Sequence, residues 1–258
     1  MVTIDLITGF LGSGKTTFLK KYAEYLMDQG LHIGILENDF GAINVDMLML
    51  HELRGDQCEL EMIAGGCDAE SHRRRFRTKL ISMRMCGYDR VLVEPSGIYD
   101  VDEFFDVLRE EPLDQWYEIG NVIAILDARL EDNLSEQADY LLASEAANAG
   151  KVILSHADAA TREQCEDTVT HLNRALEQIR CDRRIDLKKD ILQKNLTDLT
   201  KEDLEEVSKC GYRLESYRKM DLENGQSFDS LCFMEEKIKP EALERAVPRL
   251  FADKSCGE

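Results

Sequence analysis

The chain has 258 residues, 51 acidic against 32 basic, for a formal net charge of -19; 43% of residues are hydrophobic and 32% charged. That length and mixture describe a globular chain able to bury a core without disulfides, which excludes disordered and fibrous classes. The carboxylate excess argues against nucleic acid and anionic membranes as partners, because both are polyanions, and no stretch approaches the roughly 20 apolar residues of a membrane helix.

Met1-Val-Thr-Ile-Asp5 has no basic n-region, so it does not read as a signal peptide. The expected setting is the cytosol, with the eight cysteines reduced. Val2–Thr8 is apolar and β-branched and predicts the first strand. It runs into Gly9-Phe-Leu-Gly12-Ser13-Gly14-Lys15-Thr16-Thr17, a full match to G-x-x-x-x-G-K-[ST]. Each part has a physical task. The glycines let successive N–H groups face a phosphate, Lys15 reaches the β- and γ-phosphates, and Thr16 offers its hydroxyl to Mg2+. Residues 16–27 then repeat apolar side chains at helical spacing, so a helix presents its positive end to the same anion.

A second strand over 31–37 is followed by Glu37-Asn-Asp39-Phe-Gly41 and, further on, Asp46. A third strand is predicted over 58–63, a helix over 69–85 and a fourth strand over 90–94, which closes in Glu94-Pro-Ser-Gly97. In nucleotide hydrolases of this loop type a carboxylate at a neighbouring strand end holds Mg2+ and a glycine N–H senses the γ-phosphate. Glu94 and Gly97 suit those roles, and Asp39 or Glu37 is the candidate to complete the metal shell or position the attacking water. Bland alternatives stand beside these: Asp39 as a turn residue, Glu94 as an acid at a helix start. A helix over 101–108, a strand over 121–126, a helix over 134–147, a strand over 151–155 and a helix over 161–179 complete the alternation. The whole predicts an α/β fold, a mostly parallel sheet with helices on both faces and ligands at the carboxyl ends of the strands. Ser155-His156-Ala157-Asp158 sits where the base is read. Asp158 can accept guanine N1–H and N2–H together and His156 can stack on the base; the alternative for Asp158 is an N-cap.

Together these residues resemble the family of P-loop GTPases that includes CobW, UreG, HypB and MeaB, and most closely the CobW branch. The likeness rests on residues 9–17, Asn38-Asp39-Phe40-Gly41 with Asp46, Glu94-Pro-Ser-Gly97, and Asp127-Ala128 closing a strand. It covers residues 1 to about 180 and continues more weakly through Ser227–Glu235 and Pro240–Glu244. The expected organisation is a nucleotide-binding domain over 1–182, a connecting segment over 183–226, and over 227–258 the opening strand and helix of a C-terminal domain, beyond which more sheet would be expected. The resemblance implies a GTPase using GTP/GDP and Mg2+. Slow hydrolysis would gate delivery of a metal or metallocofactor to a client enzyme or corrinoid protein, with a nucleotide-dependent homodimer among the partners. Lys15, Asp39 and Glu94 are the expected catalytic residues. Gly12, Ser13, Gly14, Lys15, Thr16, Thr17, Gly97, His156 and Asp158 would hold the nucleotide, and Thr16, Asp39 and Glu94 the Mg2+.

Two motifs depart from the family pattern. Where a Cys-x-Cys-Cys cluster is usual, this chain reads Gly66-Cys67-Asp68-Ala69-Glu70-Ser71-His72. Either Cys67, Glu70 and His72 form a mixed site for Zn2+ or another transition metal, or the thiolate site is lost; on a helix Glu70 and His72 face apart. Ser155-His156 replaces the usual Asn-Lys, which leaves Asp158 as the group that selects guanine. Arg73 to Arg77 reads as a dock for an acidic client or a phosphate-bearing cofactor, or as a solvated face paired with carboxylates. A small-molecule or nucleotide kinase built on the same loop, and a nucleotide-binding module without turnover, are the rival functions.

Overall fold

A computed structural model describes residues 1–10, 12–39, 46–64, 69–96, 101–130, 134–220 and 239–252, with backbone alone at 38, 39, 64, 69 and 250–252. It divides into two units, Met1–Ser227 and Phe228–Glu258. In the first, β1 (Val2–Thr8), β2 (Ile33–Asp39), β3 (Cys58–Ala64), β4 (Arg90–Pro95), β5 (Tyr117–Asp127), β6 (Lys151–Ser155) and β7 (Ile191–Gln193) form one sheet in the order β3-β2-β4-β1-β5-β6-β7. Every pairing is parallel. All the strands therefore deliver their carboxyl ends to one edge, and β1, with β4 and β5 on its two sides, places the glycine loop in the middle of that edge.

Strand alternation sorts the core onto two faces. Ile4 and Leu6 point one way, into a layer with Phe76 and Leu80 of α3 (Ala69–Arg84), Phe104 of α4 (Val101–Leu108), Leu141 of α6 (Glu136–Ala147) and Leu172 of α7 (Arg162–Gln178). Ile7 points the other way, toward Phe18, Leu19 and Tyr22 of α1 (Lys15–Asp28). Strands buried on both faces read as continuous apolar runs, which is why the sequence announced them. Two short helices went unpredicted, α2 (Asp46–Leu50) and α5 (Leu113–Trp116). Neither holds more than about one turn, too few residues to show a period.

The segment 183–226, expected as a connection holding one short polar helix over 201–209, contributes β7 and that helix, α8 (Lys201–Val207), to the first unit. Leu196, Leu199, Leu204 and Val207 are buried in the same layer as α1. A three-residue strand carries no alternation to read, so its burial was invisible in the sequence. In the second unit α9 spans Pro240–Ala252, close to the helix expected there, whereas the strand expected over 227–234 lies outside the described residues. No described helix is long and apolar enough to cross a membrane.

Candidate functional site

The loop after β1 curls as its glycines require. Gly9, Gly12 and Gly14 have φ of 144°, 76° and 95°, a region costly for any residue with a Cβ. A side chain on Gly9 would strike the carbonyl oxygen of Ile125, and one on Gly14 would meet Leu196 Cδ1 at 2.6 Å. Gly14 is also the N-cap of α1, whose first turn holds no acidic side chain, so the positive end of the helix stays open to an anion. Ser13 is buried. Lys15 is 7% exposed, and its Nζ donates to the Phe10 carbonyl at 3.1 Å, folded back over the loop it would share with a phosphate.

Beside it, the Thr16 hydroxyl donates to Glu94 Oε1 at 2.7 Å. Glu94 is the penultimate residue of β4, Glu37 lies opposite it in register near the end of β2, and Asp46 opens α2. Carboxylate oxygens of the three lie within 4.8 Å of one another. Glu37 and Glu94 are 2% and 3% exposed, and Glu37 Oε1 and Glu94 Oε2 have no hydrogen-bond partner among the described residues. Burial pushes the Glu94 carboxyl up to about 7 against the pull of Lys15 and Thr16, and holds Glu37, which also faces the charges of Glu94 and Asp46, well above the ordinary range. Three hard oxygen donors crowded into a dry corner, two with idle lone pairs, fit a divalent cation of the Mg2+ type. Asp46 enters this group where the sequence argument used it only to mark a likeness, and the side chain of Asp39 lies outside the described residues, as do Gly97 and Cys67.

At the end of β6 the Ser155 hydroxyl donates to the Leu126 carbonyl at 3.1 Å and so ties the turn to β5. His156 adopts φ 52°, and its Nδ1 lies 2.8 Å from Asp127 Oδ2. Burial opposes ionisation of Asp127, but the Arg129 N–H and guanidinium and the His156 ring outweigh it and hold the carboxyl below its usual range. Asp158 is exposed in the turn. The cap of α7 is Thr161, whose hydroxyl accepts from the Gln164 N–H at 3.2 Å, so the N-cap alternative for Asp158 falls.

The other candidate metal residues do not converge. Glu70 is exposed on α3, whereas His72 is fully buried with its Nδ1 3.2 Å from Glu103 Oε1 of α4. Two arginines of the 73–77 run are engaged just beyond the end of α4: Arg73 Nη2 donates to Glu110 Oε1 at 2.6 Å, and Arg77 pairs with the same carboxylate at 3.2 Å.

Residues 3–185 match the family model described as CobW/HypB/UreG, nucleotide-binding domain. The zinc chaperone YjiA of Escherichia coli K12 is 29% identical over 185 residues, 67% of this chain and 55% of that protein. The zinc chaperone YeiR of the same organism is 28% identical over 164 residues, 63% of this chain and 49% of that one. The chain thus spans about half the length of these relatives. A crystal structure of LAO/AO transport system kinase superposes with a TM-score of 0.50 at 17% identity, covering 80% of this chain and 56% of that one, a likeness of fold.

Proposed function

The chain belongs to the CobW/HypB/UreG family, and on that premise we propose that it binds Mg2+ and GTP, hydrolyses GTP slowly, and uses the exchange to gate delivery of a metal ion or metallocofactor to a client enzyme. The observation that carries this reading is the hydrogen bond from Thr16 to Glu94 beside the idle carboxylate oxygens of Glu37 and Glu94. It sits next to a lysine whose Nζ donates to a loop carbonyl.

On GTP binding, Lys15 exchanges the Phe10 carbonyl for β- and γ-phosphate oxygens, and the N–H groups of Gly12 to Thr17 take the rest of the phosphate charge. Thr16, Glu37, Asp46 and Glu94 would hold Mg2+, with Asp39 as a further candidate; the ion neutralises the phosphates and polarises the transferring group. Gly97, two residues after β4 in the sequence, is our candidate to sense the γ-phosphate. Asp158 reads guanine, and His156, aimed by Asp127, packs on the base. The sequence offers no evident arginine finger, so hydrolysis is slow until a client or a second copy supplies one.

Two relatives carry the name zinc chaperone, and for this chain we take zinc as the first cargo to test. Cys67 remains its candidate ligand, three residues after β3. The setting we infer is the cytosol, with a metalloenzyme as client. The test is titration with GTP, GDP and ATP in the presence of Mg2+, with phosphate release followed with and without Zn2+, Co2+ or Ni2+. Tighter ATP than GTP binding would overturn the assignment.

A further inference from the structure

Behind the phosphate loop stands an acid that the reading above does not use. Glu145 lies in the last turn of α6 among Leu141, Leu142, Ala143, Ala146 and Ala147, and its side chain is fully buried. Its carboxyl is adjacent to the Thr8 hydroxyl and the Gly9 N–H, yet neither of its oxygens makes a hydrogen bond of normal geometry to the described residues. The Thr8 hydroxyl beside it is buried and also lacks a hydrogen bond of normal geometry among the described residues. A polar wall of this kind costs stability unless it serves the loop in front of it.

The cation that acts on Glu145 is Lys15, the residue whose Nζ now rests on the Phe10 carbonyl. Charged groups on the other elements packed around α6 are spent elsewhere. His171 of α7 is 2.6 Å from Asp139, Glu103 of α4 pairs with His72, and Asp102 of α4 pairs with Lys219 at 2.9 Å. Arg183 Nη1 donates to the Ala147 carbonyl at 2.8 Å and to that of Ala146, so it caps the helix end. Glu37 and Glu94 also feel the charge of Lys15 and compete for it.

We propose that Glu145 is a positioning residue for the phosphate loop: uncharged, it packs behind Thr8 and Gly9 and leaves Lys15 to the phosphate, whereas ionised it competes with the phosphate for Lys15. The proposal rests on residues 9–17 being the phosphate site. Nucleotide that takes Lys15 removes the counter-charge of Glu145, so binding and proton uptake by this carboxyl reinforce each other. Burial already pushes it up to about 8, which places the exchange at an accessible pH. Burial makes the carboxyl a weaker acid, so affinity is greatest below pH 8 and is lost as the pH rises through that value.

The test uses GDP with chelator, which leaves the Mg2+ site out of the measurement. Between pH 7 and pH 9 the wild type should lose about tenfold in affinity, the weight of one buried charge near the phosphate, while Glu145→Gln should hold a nearly flat profile and bind at least as tightly at pH 9. Parallel profiles in the two proteins would overturn the proposal. A wild type that binds no nucleotide at any pH would overturn the phosphate-site reading and this inference with it. A measurement on the wild type alone avoids any effect of the substitution on folding: calorimetry at pH 8 in two buffers of different ionisation heat should show uptake of up to about half a proton on GDP binding, and zero uptake or release would refute the coupling.

Discussion

Replacing Glu94 by Gln should stabilise the empty protein, although it damages the site. Glu94 is 3% exposed, and burial raises it from an ordinary 4.5 to about 7. The folded chain therefore holds a proton between those values that the unfolded chain has released, so stability falls as the pH climbs from 4.5 to 7 and stays low above. At ~1.4 kcal/mol per pH unit the cost at pH 8 is roughly 3 kcal/mol. Glutamine keeps the shape and an oxygen to accept from Thr16, and it relieves Glu37 of a like charge. In chelator and without nucleotide, thermal unfolding at pH 8 should place Glu94→Gln about 6–12 °C above the wild type, with the two proteins level near pH 4.5. With Mg2+ and GTP the order should reverse, because only the wild type gains from the ion. A variant that melts no higher than the wild type at pH 8 would refute the claim that an uncompensated charge sits in this corner.

Lys15→Ala should leave the fold intact by circular dichroism and weaken GTP by about 30- to 100-fold in equilibrium titration, the worth of charge-assisted bonds to phosphate. Gly14→Ala should cost about 1–3 kcal/mol in urea unfolding, because the residue has φ 95° and its new methyl group meets Leu196 Cδ1 at 2.6 Å. Asp158→Asn should cut the preference for GTP over ATP by at least about tenfold in competition binding, since the amide cannot accept both guanine donors.

What was legible in the sequence follows from period and chemistry. β1 and the glycine loop were readable because an apolar run meets a motif whose every residue has a task, and β6 because four of its five residues, Val152 to Ser155, are buried. Asp46 lay within the residues quoted for the resemblance, yet its approach to Glu37 and Glu94 is a tertiary fact with no local pattern to announce it. Leu196 gave no sign of lying under Gly14, because an isolated leucine after a three-residue strand has no pattern to belong to. Glu145 did leave a trace. It is a lone acid in the Leu141–Ala147 run, where a solvated acid would be expected on a polar face, and α6 has none at that point.

The central claim is that the loop at residues 9–17 and the carboxylates of Glu37, Asp46 and Glu94 form one Mg2+-dependent GTP site. The most direct measurement is parallel titration of GTP and ATP with and without Mg2+, with single-turnover phosphate release from each. GTP should bind more tightly than ATP, Mg2+ should strengthen that binding, and phosphate should be released slowly from GTP. Equal or tighter ATP binding, or GTP binding indifferent to Mg2+, would contradict it.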